Sequence, residues 1–367
     1  ETMDVAPLLK KLVGVHAPSG FEDAIRPVII DELRNSVDEI SIDSLGNVIA
    51  KKCGKTIQGP KVMLSAHMDE VGFIVKYIND EGFVFFEKYG MIDDRILLAQ
   101  RVKIHTKRGP VCGVIGVKAK HLQTPEESTR PLSFRDMWID VGAQNREEAE
   151  ELGVRCGDPM TFDRDLQVIG KGNFVTGRAL DNRLGLAVLI QVMRELLNEE
   201  HEATVYAVAS VMEEVGARGA QTAAAAINPN IAIALDVTHG IDPAVTPTWS
   251  AIKLGGGPSI RLADIYWPTL QGCLTPTWLK ELILQVANEA HVPYQIDVLS
   301  GTFLDSSTIH IVSHGVPSLG ILIPRRNGHT PAEVACLDDV KNAVRLVVAF
   351  IRRLTKEVIT GFPIKIK

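Results

Sequence analysis

Residues 203–211 (Ala-Thr-Val-Tyr-Ala-Val-Ala-Ser-Val) form a β-favouring, largely apolar run that passes straight into Met212-Glu213-Glu214. A continuous apolar run of this length suits a strand buried on both faces, and such strands occur where helices cover a parallel sheet. Gly216 and Gly219 then break the pattern before an alanine-rich helix. The two carboxylates therefore sit where a buried strand ends, the edge at which α/β sheets bind their ligands. Neighbouring residues on an extended chain face opposite sides. One glutamate can face a bound metal while the other faces a water on that metal. For an isolated Glu-Glu pair the alternative is a solvated acidic turn, so the rest of the chain has to decide.

The same alternation recurs along the chain. Helices are expected over 4–17, after Ser19, after Asp181, over 278–290 and over 337–358. Ser19 with Glu22 three residues on has the form of a capping box, and Ile25, Val28, Ile29 and Leu33 follow at helical spacing. Strands are expected over 39–42, 47–51, 61–65, 203–211, 231–235, 294–298 and 317–323. Strands alternating with helices imply a mostly parallel sheet covered on both faces. Between 71 and 163 the texture changes to short runs at 73–77, 83–88, 101–106 and 111–117, separated by turns and without long helices. That pattern predicts a small β-rich or barrel-like domain. Residues 118–135 read as a long polar loop and 146–151 as a short surface helix. At 367 residues the chain exceeds one comfortable core. The expectation is an α/β domain built from 1–70 and 164–367, with a β-rich domain, 71–163, inserted into it.

Composition removes several function classes. The net charge is −6 and like charges do not cluster, which argues against nucleic acid or an anionic membrane as partner. No apolar run reaches the roughly 18 residues of a membrane span, and residues 1–7 lack the pattern of a secretory signal. The five cysteines are scattered without a Cys-x-x-Cys and read as reduced, mostly structural thiols. The expected location is cytoplasmic.

Five places share one character: a polar ligand type at the end of an apolar strand or in the adjoining loop. They are His67, Asp181, the Glu213-Glu214 pair, Asp236 and His329. Singly, each has a plain reading; Asp181 alone would be a helix N-cap. Together, two imidazoles and several carboxylates suit zinc or cobalt better than an all-oxygen calcium or magnesium cage. The count also fits two metals: one bridging carboxylate, a histidine and a further carboxylate on each ion, and one glutamate left to move protons. The residues alone leave open which glutamate does which.

The chain resembles the tetrahedral aminopeptidases, a group that includes glutamyl and deblocking aminopeptidases and some proteins labelled endoglucanases. The resemblance rests on Ser65-Ala66-His67-Met68-Asp69-Glu70-Val71-Gly72, Gly177-Arg178-Ala179-Leu180-Asp181-Asn182-Arg183, Glu213-Glu214-Val215-Gly216, Leu235-Asp236-Val237-Thr238 and Pro324-Arg325-Arg326-Asn327-Gly328-His329-Thr330-Pro331-Ala332-Glu333. It implies a phosphorylase/hydrolase-like mixed sheet sandwiched by helices, with a small PDZ-like or barrel dimerisation domain inserted. It also implies peptide substrates and two divalent ions per subunit. By motif, His67 and Asp236 bind the first ion, Asp181 bridges, and Glu214 and His329 hold the second. Glu213 becomes the general acid/base, and Asp69 orients His67. Self-association as a dimer and a hollow tetrahedral dodecamer is implied too. A metal-dependent deacylase or glycan hydrolase of the same fold is the rival reading.

Two segments depart from the family pattern: Gly301-Thr302-Phe303-Leu304-Asp305-Ser306-Ser307, and Asn327-Gly328 before His329. Two other features carry less. Gly255-Gly256-Gly257 lacks the frame of a phosphate loop and reads as backbone lining a cleft. Arg261, Arg325 and Arg326 read as ordinary surface ion pairs.

Overall fold

The computed structural model describes residues 3–56 and 58–360. At its centre four strands, Thr204–Ser210, Lys61–His67, Ile231–His239 and Ser318–Arg326, lie parallel and adjacent in that order. Their alternating side chains feed two cores. Val62, Leu64 and Ala66, with Val205, Ala207 and Ala209, pack into the larger one beneath Leu180–Glu195 and Leu337–Arg353. Met63 and Val208 point the other way, onto Ala220, Ala223 and Ala224 of the alanine-rich helix Arg218–Ile227. Helices on both faces explain why these strands read as unbroken apolar runs.

The sheet is mixed, not mostly parallel. Val48–Lys52 and Glu39–Ile42 continue it antiparallel beyond Thr204–Ser210, and Glu333–Cys336, Phe174–Gly177 and Gln167–Ile169 do so beyond Ser318–Arg326. Glu39–Ile42 with Val48–Lys52, Gln167–Ile169 with Phe174–Gly177, and Ser318–Arg326 with Glu333–Cys336 are each joined by a short connection with no room for a crossover helix, so those pairs have to be antiparallel. One such turn is tied by Asp43, whose Oδ1 accepts from the amides of Leu45, Gly46 and Asn47. A further strand, Ser259–Tyr266, branches from Ser318–Arg326 and carries Gln271–Leu274 and Gln295–Ser300.

The inserted segment closes into a barrel of strands Gly72–Ile78, Val84–Tyr89, Ile139–Asp140, Gly109–Ile115, Arg101–Thr106 and Pro159–Phe162. Phe73 fills it, meeting Phe86 and Phe162 edge-on with centroids 5.4 and 5.2 Å apart. Closure removes the sheet edges that a small β-domain would otherwise expose.

Several local expectations are corrected. Residues 118–135 contain a short helix, Pro125–Thr129, held by a capping box between Thr124 and Glu127. The C-terminal helix ends at Arg353, with Lys356–Thr360 separate from it. Ser19 makes no capping box, because its hydroxyl is committed to Asp69. Gly255 and Gly257 give their amides to the Asp339 carboxylate at the head of Leu337–Arg353 and are not among the residues lining the active-site cavity. Cys53, Cys112 and Cys156 are exposed, so only Cys273 and Cys336 are packed thiols. Among the described residues no helix is long and apolar enough to cross a membrane.

Candidate active site

The parallel strands bring their C-terminal ends to one edge. Ser210 pairs with His67, and Ser65 pairs with Ala234, which places Asp236 beside His67. Asp181 arrives from a different direction. It lies where Leu180–Glu195 begins, but with φ −81° and ψ 103°, which turns its carboxylate out of the helix. The cap is Asn182 instead: its Oδ1 accepts from Gly185 N at 2.9 Å while its amide holds Leu235 O at 2.8 Å. Asp181 is thereby freed for the site.

Each imidazole presents Nε2 inward because Nδ1 is engaged behind it. His67 Nδ1 lies 3.1 Å from the Asp69 carbonyl oxygen and 3.4 Å from Asp69 Oδ1. His67 Nε2 lies 3.1 Å from Asp181 Oδ1, 3.7 Å from Asp236 Oδ1 and 3.8 Å from Glu213 Oε2. His329 Nδ1 lies 3.0 Å from the carbonyl of Met91, a residue of the barrel segment. Its Nε2 lies 3.2 Å from Asp181 Oδ2 and 3.4 Å from Glu214 Oε2. Asp181 thus offers one oxygen to each imidazole.

Asp69 does more than lie behind His67. Its Oδ1 accepts from Glu213 N at 2.9 Å, and its Oδ2 accepts from Glu214 N at 3.1 Å and from Ser19 Oγ at 2.6 Å. One buried carboxylate therefore fixes the backbone of the glutamate pair. Glu22 adds a bond to Met212 N at 3.1 Å, where the chain adopts φ 55°. Glu333 holds the amides of Asp181 and His329, each at 3.0 Å. Asp305 accepts from Ser65 Oγ at 2.5 Å and Ser210 Oγ at 2.6 Å, beneath the strand ends.

The electrostatics show what is missing from the protein atoms alone. Burial pushes Glu214 up to about 8, Asp305 to about 6 and Glu333 to about 7. Burial also raises Glu213 and Asp236, helped by neighbouring carboxylates. Burial alone would lower both histidines. The Glu213 and Asp236 charges reverse this for His67, and Glu214 and Asp181 lift His329 to about 9. Asp181 is held well below the usual carboxylate range: Arg325, His329 and His67 outweigh its burial. So many crowded, desolvated carboxylates call for cations. Glu214 Oε1 is buried with no hydrogen-bond partner, and His67, Asp181 and Glu214 each offer a ligand atom within 4.8 Å of the others. The donor set fits divalent ions of the zinc or cobalt type.

The candidate ligands and proton-handling residues, His67, Asp69, Asp181, Glu213, Glu214, Asp236 and His329, converge here. The supporting set, Ser19, Glu22, Met91, Asp305 and Arg325, was not legible as such. Arg325 and Glu333 sat inside a quoted motif, and Asp305 inside the departing segment 301–307, but none of them was given this role. Arg261 and Arg325 are buried, not surface ion-pair residues.

A model of the M42 glutamyl aminopeptidase family matches residues 46–346. The chain belongs to that family. A lysyl aminopeptidase of Pyrococcus furiosus is 34% identical over 354 residues, covering 95% of this chain and 96% of that protein. The crystal structure of a TET aminopeptidase from Thaumarchaeota archaeon SCGC AB-539-E09 superposes with a TM-score of 0.93 at 37% identity, covering 98% of this chain and 99% of that one. The TET1 peptidase of Pyrococcus horikoshii, which can assemble into a tetrahedron or a large octahedral shell, superposes at 0.85 with 31% identity, covering 96% and 100%. This M42 protein is a metal-dependent aminopeptidase, with the mixed sheet and inserted β-domain of its relatives. The deacylase or glycan hydrolase reading is not favoured.

Proposed function

We propose that the enzyme removes N-terminal residues from peptides at a centre of two divalent ions, zinc or cobalt. The observation that carries this reading is Asp181, with one oxygen toward His67 and the other toward His329. His67, Asp236 and Asp181 would hold one ion, and His329, Glu214 and Asp181 the other. Bound there, the ions supply a nucleophile at neutral pH and polarise the scissile carbonyl. Glu213 takes the proton from the attacking water and returns it to the leaving amine. Its amide is clamped by Asp69, which fixes the side chain's starting point beside the proposed ions. The site opens into a cavity of about 590 Å³, large enough for one residue and the start of the next. Its acidic wall complements a free α-ammonium group.

The barrel formed within 71–163 is the self-association domain in this proposal, leading to a dimer and a tetrahedral dodecamer. The known assembly of the P. horikoshii relative supports this, and light scattering of the intact protein tests it. The proposal keeps the enzyme in the cytoplasm with no nucleic-acid or membrane partner. To test the reaction, chelator-treated protein is assayed on aminoacyl chromogenic substrates before and after zinc or cobalt is restored. N-acetylated and β-glucan substrates run alongside. Activity that returns with metal on free N-termini alone is expected; chelator-resistant turnover, or cleavage of the glucan, refutes it.

A further inference from the structure

Arg325 occupies an unexpected place. It lies on the strand Ser318–Arg326 with its side chain 5% exposed, and its Nη2 donates to Asp181 Oδ2 at 2.8 Å. That is the same oxygen that lies 3.2 Å from His329 Nε2. The Arg325 Nε lies 3.3 Å from Glu333 Oε1 without hydrogen-bond geometry, and its Nη1 has no partner although both atoms are buried. The guanidinium is therefore packed against the cluster with donors to spare, and its charge cannot be removed near neutral pH. The loop beside it is shaped to admit it. A Cβ at residue 328 would fall 1.4 Å from Arg325 Nη1, so any side chain there would displace the guanidinium from this position. Gly328 lies directly before His329, and this gives a physical reason for the unusual Asn327-Gly328 pair.

The consequence follows from the asymmetry of the contacts. Asp181 Oδ1, Asp236 and Glu213 surround His67 with no neighbouring guanidinium on that oxygen, whereas Oδ2 already carries a fixed positive charge. An ion held by His329 and Glu214 would lie beside the oxygen already bonded to Arg325 and so approach a like charge. We propose that Arg325 is a resident cation of the metal centre that competes for Asp181. The two positions then differ in affinity: the His67–Asp236 position fills first, and the His329–Glu214 position fills only at higher free metal. This rests on the two-ion reading above. Arg325 is a positioning residue here, acting through Asp181.

The test is metal loading of the full chain, independent of turnover. Metal-free protein is equilibrated at stepped, buffered free zinc, desalted, and its zinc per chain measured. The wild type should load in two steps separated by about tenfold or more in free zinc, the effect one adjacent charge exerts on a carboxylate's proton affinity. Arg325→Met should draw the second step toward the first by a comparable factor and leave the first in place. His329→Ala should abolish the second step alone, which identifies it even if Arg325→Met folds poorly; circular dichroism checks the fold of both. A single two-zinc step in the wild type, or loss of the first step in His329→Ala, overturns the proposal. So does an unchanged gap in folded Arg325→Met. Failure of the underlying two-ion reading looks different: the wild type would bind no zinc, or never more than one at saturation.

Discussion

Asp69→Asn isolates the contribution of one buried carboxylate to the site. Asp69 accepts from two consecutive amides, Glu213 and Glu214, and from the Ser19 hydroxyl. Asparagine is nearly isosteric but keeps one acceptor oxygen and gains an amide donor. Whichever way it turns, its NH₂ meets the N–H of Glu213 or of Glu214. At least one hydrogen bond to a charged acceptor is lost, worth about 1.5–3 kcal/mol, and a buried N–H is left unsatisfied. The combined local cost is about 2–4 kcal/mol, which corresponds to an amide exchange rate raised on the order of 30-fold or more. The His67 tautomer should survive, because its Nδ1 also faces the Asp69 carbonyl at 3.1 Å. Hydrogen–deuterium exchange at the Glu213 and Glu214 amides reads the effect directly. Metal affinity should fall by about 10- to 100-fold, the usual cost of removing a group that supports metal ligands. Unchanged protection at both amides, with metal affinity intact, would refute the clamp.

Two further outcomes are expected. The cavity wall away from the acidic cluster carries Val237, Tyr266, Phe303 and Leu304. Arg261 there is committed to Asp297 at 2.7 Å and to Thr302 and Thr238 at 2.8 Å each. With that wall apolar and Arg261 committed, leucyl or methionyl substrates should exceed lysyl and glutamyl ones in kcat/KM by about tenfold or more; parity in a substrate panel refutes this. The second outcome concerns the junction with the barrel, where His16 and His105 share Thr161 Oγ1 at 2.7 and 2.9 Å and Lys103 donates toward His16 at 3.3 Å. Burial lowers His16 to about 3 and His105 to about 4, with Arg178 and Lys103 adding to it against Glu70. The unfolded chain therefore binds more protons between about pH 6.5 and 4, and stability falls as pH falls through that window. Each histidine contributes a slope of up to about 1.4 kcal/mol per pH unit. His16→Gln should flatten the loss relative to wild type in urea unfolding between pH 7 and 5; parallel curves contradict it.

The strong apolar strands were legible because burial on both faces removes alternation and leaves continuous runs, as in 203–211. The barrel was legible for the opposite reason: short alternating strands with turns every ten residues or so. Marginal strands such as Gln271–Leu274 and Gln167–Ile169 carry too few residues to show a period, and their pairing depends on partners far away in the chain. The ligand types at strand ends announced the site. Its scaffolding did not announce itself: Ser19 looked like a helix cap because its partner, Asp69, is fifty residues distant. Arg325 looked like surface charge because sequence cannot show that Gly328 makes room for it.

The most direct test of the account is Glu213→Gln, with metal content and peptide turnover measured on the same sample. The amide cannot carry the proton, yet it preserves the shape of a side chain assigned no metal. The account predicts metal per chain equal to wild type, with kcat lower by about 10²- to 10⁴-fold. Near-normal turnover, or loss of metal along with activity, would contradict the division of labour between Glu213 and Glu214.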